Sequence, residues 1–268
     1  MTGIERKWKD LKKKGLKAFV AFVTAGDPTL EDTYKLVLEL EKQGADIVEL
    51  GVPFSDPIAD GPTIQASSQR ALEKGVNLPR IFSLVKKLRK KTDVPIAFLT
   101  YYNPVFHYGI GEFVGDCVKS GVDGVIIADL PPEEAKEIKS IAVKKGLDTI
   151  FLAAPTSSKE RLSKVADIST GFIYCVSVAG VTGARNSLAK SLKKRVEALK
   201  KITNKPVAVG FGVSSPKTAE LVASFSDGVI VGSAIVKVID KNKRNKELVG
   251  KVGRSVRSLA DAVHKVKD

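Results

Sequence analysis

At 268 residues with 43% hydrophobic content, the chain can bury one sizeable core, and its length suits a single α/β barrel domain spanning 1–268. Cys117 and Cys175, with no CxxC and no cysteine–histidine cluster, exclude a disulfide scaffold and a zinc module and predict a reduced, metal-free, cytoplasmic protein. The formal net charge of +14 raises nucleic-acid binding as a possibility, but the lysines fall on predicted helix surfaces without interleaved aromatics; neither a signal peptide nor a membrane-length apolar run is expected.

Ile4, Trp8 and Leu11 recur at helical spacing, so residues 3–14 predict a short amphipathic helix able to plug one end of a barrel. LKAFVAFVT (16–24) reads as a first strand, and Thr29 caps a following helix that stops at Gly44. The unit then recurs, with strands expected over 44–50, 94–102, 122–130, 147–154, 170–178, 205–213 and 226–234. Helices are expected at 62–74, 78–91, 110–120, 132–145, 158–166, 189–202, 215–224 and 244–266. Eight alternating units of this size predict a closed (β/α)8 barrel with an extra N-terminal helix. The recurring GADIVEL, GVDGVII and FSDGVIV fit equivalent staves, and the valine seam of the last helix fits packing on the barrel wall.

The stretch GADIVELGVPFSDPIADGPTIQ (44–65) concentrates the chemistry. Ile47, Val48, Leu50 and Val52 mark a buried parallel strand, and Glu49 interrupts them. An unpaired carboxylate in an apolar layer costs several kcal/mol, out of a domain stability of roughly 5–15 kcal/mol. With a side-chain period of two, Glu49 points away from Val48 and Leu50, into the barrel if those two face helices. A buried ion pair, or a strand-end carboxylate reaching water, is the other explanation of such a residue. The loop that follows, stiffened by Pro53, Pro57 and Pro62, presents Asp60 as a second carboxylate, and two acids in different environments can divide proton delivery from proton removal. Taken alone, Asp60 before Gly61 is a turn residue.

Three glycine-bearing segments, 179–184, 210–215 and 232–236, follow the last three strands, where barrels bind phosphate. Gly232 and Ser233 open a short apolar segment running to Ile239 whose free amides suit a phosphate dianion. Phe22, Leu99, Ile126, Ala128, Leu152 and Phe211 lie at or near strand ends, with the hydroxyls of Tyr101 and Tyr174, and make an apolar pocket for a flat aromatic group. The residues alone therefore suggest carbon–carbon cleavage or isomerisation of an aromatic phosphate monoester by acid–base chemistry.

ELGVPFSDPIADGPTIQ (49–65) resembles the signature of the tryptophan synthase α subunit family. The resemblance extends through FVTAGDP (22–28), LTYYNPVF (99–106), ADLPPEE (128–134), AAPTS (153–157), AGVTGAR (179–185), VGFGVSSP (209–216) and VGSAIVK (231–237). It implies a (β/α)8 barrel that cleaves indole-3-glycerol phosphate to indole and glyceraldehyde 3-phosphate without a cofactor of its own. By the same resemblance, Glu49 protonates the indole at C3 and helps remove the glycerol hydroxyl proton, Asp60 stabilises the indole N–H, and Tyr174 stands beside the glutamate. Gly183, Gly212, Gly232 and Ser233 match phosphate-binding positions, with Phe22, Leu99, Ile126, Ala128 and Leu152 around the indole. The loop bearing Thr182 is expected to close over Asp60. The face carrying Asp56, Asp129 and Pro131 is expected to meet a β subunit in an α2β2 complex, and that partner holds the pyridoxal phosphate. The pattern departs at Phe172 and Val178, where some relatives have tyrosine and arginine, and in the lysine-rich terminal helices. Other phosphate-binding barrels, a ligand-binding regulatory subunit and a basic nucleic-acid protein are the rival readings.

Overall fold

The computed structural model describes residues 1–176, 185–210 and 212–267. Thr182, Gly183, Phe211 and Val178 lie outside the described residues. In chain order come α1 (Gly3–Lys13), β1 (Ala18–Thr24), α2 (Leu30–Lys42), β2 (Ile47–Gly51), α3 (Pro62–Leu72), α4 (Leu78–Leu88), β3 (Ile96–Thr100), α5 (Tyr102–Tyr108), α6 (Ile110–Ser120) and β4 (Gly124–Ile127). A 3-10 turn (Pro132–Glu134), α7 (Lys136–Lys145), β5 (Asp148–Ile150), β6 (Leu152–Ala153), α8 (Lys159–Ile168), β7 (Ile173–Val176) and α9 (Arg185–Ile202) follow. The chain ends with β8 (Val207–Gly210), α10 (Pro216–Ala223), β9 (Gly228–Val231), α11 (Ser233–Asn242) and α12 (Leu248–His264).

The strands pair in the order β5-β4-β3-β2-β1-β9-β8-β7-β6, all parallel. The two ends of that order, β5 and β6, are consecutive pieces of one stretch with only Phe151 between them, so covalent continuity closes the ring. Eight staves were expected; the fifth is divided. The expected strand over 94–102 ends at Thr100, because Tyr102 starts a helix whose first turn tolerates Pro104.

Alternation along each strand builds two cores. Val48, Leu50, Phe98, Val125, Ile173 and Val209 face outward into the cluster shared with the helices. Ala18, Val20, Ile47, Ala97, Ile126, Ile150, Ala208 and Ile230 face inward and join Ile4, Trp8 and Leu11 of α1. This is the predicted plug. Trp8 packs against Phe172 with ring centroids 5.7 Å apart and planes tilted by 52°, and it lies so close to Gly228 that a Cβ there would come within 2.6 Å of its ring. Phe172 is thus part of the sealed floor, away from the substrate end. A Thr2–Glu5 capping box starts α1, and the Thr2 hydroxyl donates to the buried Asp148. On the outer wall α12 buries Val252, Val256, Leu259 and Val263 of its expected seam and adds Leu248, while Val249 and Val266 at the seam's ends are partly buried.

Candidate active site

At the carboxyl ends of the strands, inward positions stop being filled. Below, Ala97, Ile126, Ile150 and Ala208 are buried; above, Leu99, Leu152, Tyr174 and Ala128 are partly exposed around an open mouth. Ile126 therefore forms floor, and Leu99, Ala128 and Leu152 form wall. Phe22, paired in register with Glu49, lies between β2 and α11: a Cβ at Gly51 would sit 2.6 Å from its ring, and one at Gly232 3.3 Å from it.

Glu49 projects inward from β2 between Phe22 and Ala97 and is 1% exposed. Among the described residues no arginine or lysine forms an ion pair with it, and its Oε2 has no hydrogen-bond partner. Burial, and secondarily the charge of Asp60, push its carboxyl up to about 8, so at neutral pH it holds a proton to give. Among the described residues no ion pair accounts for this buried acid.

Asp60 ends the loop after β2, one residue before the cap of α3, and is half-buried. Burial raises its pKa, and a hydrogen bond from the Tyr101 hydroxyl opposes that rise. The same hydroxyl accepts the Ala59 N–H at 3.1 Å, and the Tyr101 ring lies 5.3 Å from that of Phe54, so one tyrosine fastens the acidic loop at three points. Sequence reasoning saw only a hydroxyl near the pocket; the signal for more was Tyr101's inward phase, two residues beyond Leu99. Tyr174 shares this neighbourhood. Its phenol is pushed up first by burial and then by the charges of Glu49 and Asp60, so it stays a neutral hydroxyl. Gly210 leaves room for its ring, since a Cβ there would lie 2.7 Å from Tyr174 Cε1.

On the opposite rim, α11 begins at Gly232 with no side-chain cap, so its first amides have no intramolecular side-chain acceptor. Gly212 holds a positive φ of 30° after β8. The helix runs to Asn242, longer than the segment to Ile239 read from sequence. Of the residues expected at a partner face, Asp56 and Asp129 are exposed and Pro131 is half-buried. Asp129 also accepts the Tyr102 N–H at 2.7 Å, which fixes the start of α5. Ile58 and Phe106, 83% and 63% exposed, add apolar surface from the acidic loop and from α5. A separate recess lined by Trp8, Lys12, Leu16, Lys17, Asn204, Pro206 and Asp227 lies at the amino-terminal end, away from both carboxylates. Among the described residues no three His, Cys, Asp or Glu side chains converge as a metal site.

Comparison with known proteins places the whole chain in one family. A family model described as "Tryptophan synthase alpha chain" matches residues 8–264. The tryptophan synthase alpha chain of Geotalea uraniireducens is 53% identical over 266 residues, 99% of either chain. The solved tryptophan synthase subunit alpha of Legionella pneumophila superposes with a TM-score of 0.92 at 36% identity, covering 99% of this chain and 100% of that one. An α subunit from a study of mutual activation of the Pyrococcus furiosus tryptophan synthase α2β2 complex superposes at 0.85 with 42% identity, covering 91% and 98%. Likeness of this extent and identity, on a barrel with the carboxylates at its mouth, means that the chain belongs to the tryptophan synthase alpha chain family.

Proposed function

We propose that Glu49 and Asp60 carry the proton transfers of the reaction this family performs. The chain is a lyase of tryptophan biosynthesis that cleaves indole-3-glycerol phosphate to indole and glyceraldehyde 3-phosphate. Neutral Glu49 gives its proton to the indole C3, and the positive charge that forms on the ring N–H is stabilised by the Asp60 carboxylate. Glu49, now a carboxylate, takes the proton of the hydroxyl on the adjacent side-chain carbon. The carbon–carbon bond breaks, its electron pair returns to the ring, and the oxygen becomes the aldehyde. Glu49 ends protonated, as it began.

Phe22, Leu99, Ala128 and Leu152 hold the ring above the Ile126 floor, and Tyr174 offers its hydroxyl beside Glu49. Gly232 and Ser233 bind the phosphate at the uncapped start of α11, with Gly212 beside them after β8. The observation that carries this reading is the buried Glu49, its Oε2 without a hydrogen-bond partner, in the electrostatic reach of Asp60. Indole release from indole-3-glycerol phosphate by the purified protein tests it, beside Glu49→Gln. Loss of about 10²–10⁴-fold in the variant is the expected result, and near-normal release by Glu49→Gln overturns the assignment.

The rim bearing Asp56, Ile58, Phe106, Asp129 and Pro131 is the face for a tryptophan synthase β subunit, supported by its apolar exposure and by the solved complexes of related chains. Pyridoxal phosphate then belongs to that partner, and the α chain works without a cofactor of its own. A biosynthetic lyase of this kind acts in the cytoplasm. No helix among the described residues is long and apolar enough to cross a membrane.

A further inference from the structure

Helix α3 starts at Pro62, two residues after Asp60, so any shift of this helix moves the acidic loop. Its buried face consists of Ser67, Ser68 and Ala71, whereas the neighbouring α4 buries Leu78, Ile81, Phe82, Leu84, Val85 and Leu88. Apolar burial, worth about 25 cal/mol per Å2, therefore does little to fix where α3 sits along its axis. Polar contacts replace it. The Asp27 carboxylate, 1% exposed, accepts Ser67 Oγ at 2.6 Å, Arg70 Nε at 2.8 Å and Arg70 Nη2 at 2.6 Å. The third nitrogen, Arg70 Nη1, reaches Asp240 of α11 at 3.0 Å. Asp240 lies seven residues beyond Ser233, about 10 Å down the helix axis from the end assigned to the phosphate.

We propose that Arg70 is a positioning residue that, by gripping Asp27 and Asp240 together, sets the separation between the Asp60 loop and the phosphate end of α11. The inference rests on the roles given above to Asp60 and Ser233. The planar guanidinium suits the task because its fork holds the Asp27 carboxylate in two parallel bonds and leaves Nη1 aimed at a second partner, a geometry lysine cannot copy. A substrate with its phosphate anchored at one helix and its ring between two carboxylates reacts at a rate that depends on that separation, and a misplacement of about 1 Å costs up to 10²-fold.

The test uses Asp240→Ala, which opens the α11 side while the Asp27 grip stays intact, and Asp240→Glu, which restores the charge. Indole release is measured as kcat and KM, inorganic phosphate is the probe of the phosphate end as a competitive inhibitor, and melting temperature reports the fold. Expected for Asp240→Ala are a kcat lowered about tenfold, phosphate inhibition within about twofold of wild type and a melting temperature within a few degrees, with Asp240→Glu recovering most of the rate. A kcat unchanged in Asp240→Ala overturns the positioning role. So does a rate that falls only in parallel with phosphate affinity and melting temperature, or one that Asp240→Glu leaves unrestored. Wild-type protein without indole release strikes the proposed function itself; an active wild type with an indifferent Asp240→Ala strikes the positioning role alone.

Discussion

The Tyr101 hydroxyl donates to the Asp60 carboxylate and accepts the N–H of Ala59 at 3.1 Å. The acidic loop thus depends on the residue that joins β3 to α5. Tyr101→Phe removes the bond that opposes the burial-driven rise of the Asp60 pKa, so that pKa climbs further. The acid limb of the kcat/KM profile is expected to move to higher pH, with a loss of about tenfold at neutral pH. A pH–rate series on the variant checks it, and an unmoved acid limb refutes it.

Glu49 places a cost on stability that depends on pH. Its folded-state pKa, about 8, lies above the ordinary 4.5, so the neutral form favours the fold. That contribution is complete below about pH 4 and is lost as pH rises through 8, amounting to several kcal/mol at the alkaline end. Glu49→Gln lacks this titration. Its melting temperature is expected to exceed the wild type's by an amount that widens from pH 6 to pH 9, and a constant gap counts against the idea.

Asp148 does the same in a lower window at the other end of the barrel. Burial, partly offset by hydrogen bonds from Thr2 and Thr170, raises it from 3.8 to about 6. Its neutral form supports folding below pH 4, and that support is lost as pH passes 6. Asp148→Asn is expected to flatten the decline in stability between pH 4 and pH 7 while leaving cleavage within about twofold, because the plug end touches no substrate. Thermal melts across that range, paired with an indole assay, decide it.

Gly210→Ala tests the space beside Tyr174. The added methyl would meet the ring at 2.7 Å and the phenol oxygen at 2.8 Å, so the tyrosine must move. A fall in kcat/KM of about 10–100-fold is expected with an unchanged circular dichroism spectrum. Full activity would mean that the ring relocates without consequence.

The barrel was legible because most staves are runs of apolar residues buried on both faces, and Glu49 was legible because it is a charge in the middle of such a run. The break at Phe151 was not, since one irregular residue leaves the hydrophobic pattern intact. Helix α5 was hidden by Pro104, which reads as a loop signal but is tolerated in a first turn. The Asp27–Arg70 clasp joins residues 43 apart and has no local periodicity to betray it. Asp60 could be named from its loop, yet its fastening to Tyr101 could not, because that bond exists only once two neighbouring staves curl side by side.

Ile4, Trp8 and Leu11 close the bottom of the barrel, and this decides traffic. Among the described residues the base is shut, which leaves the lip above Glu49 as the side by which a bicyclic product departs. Whatever protein seats itself on that lip stands in the path of every molecule released.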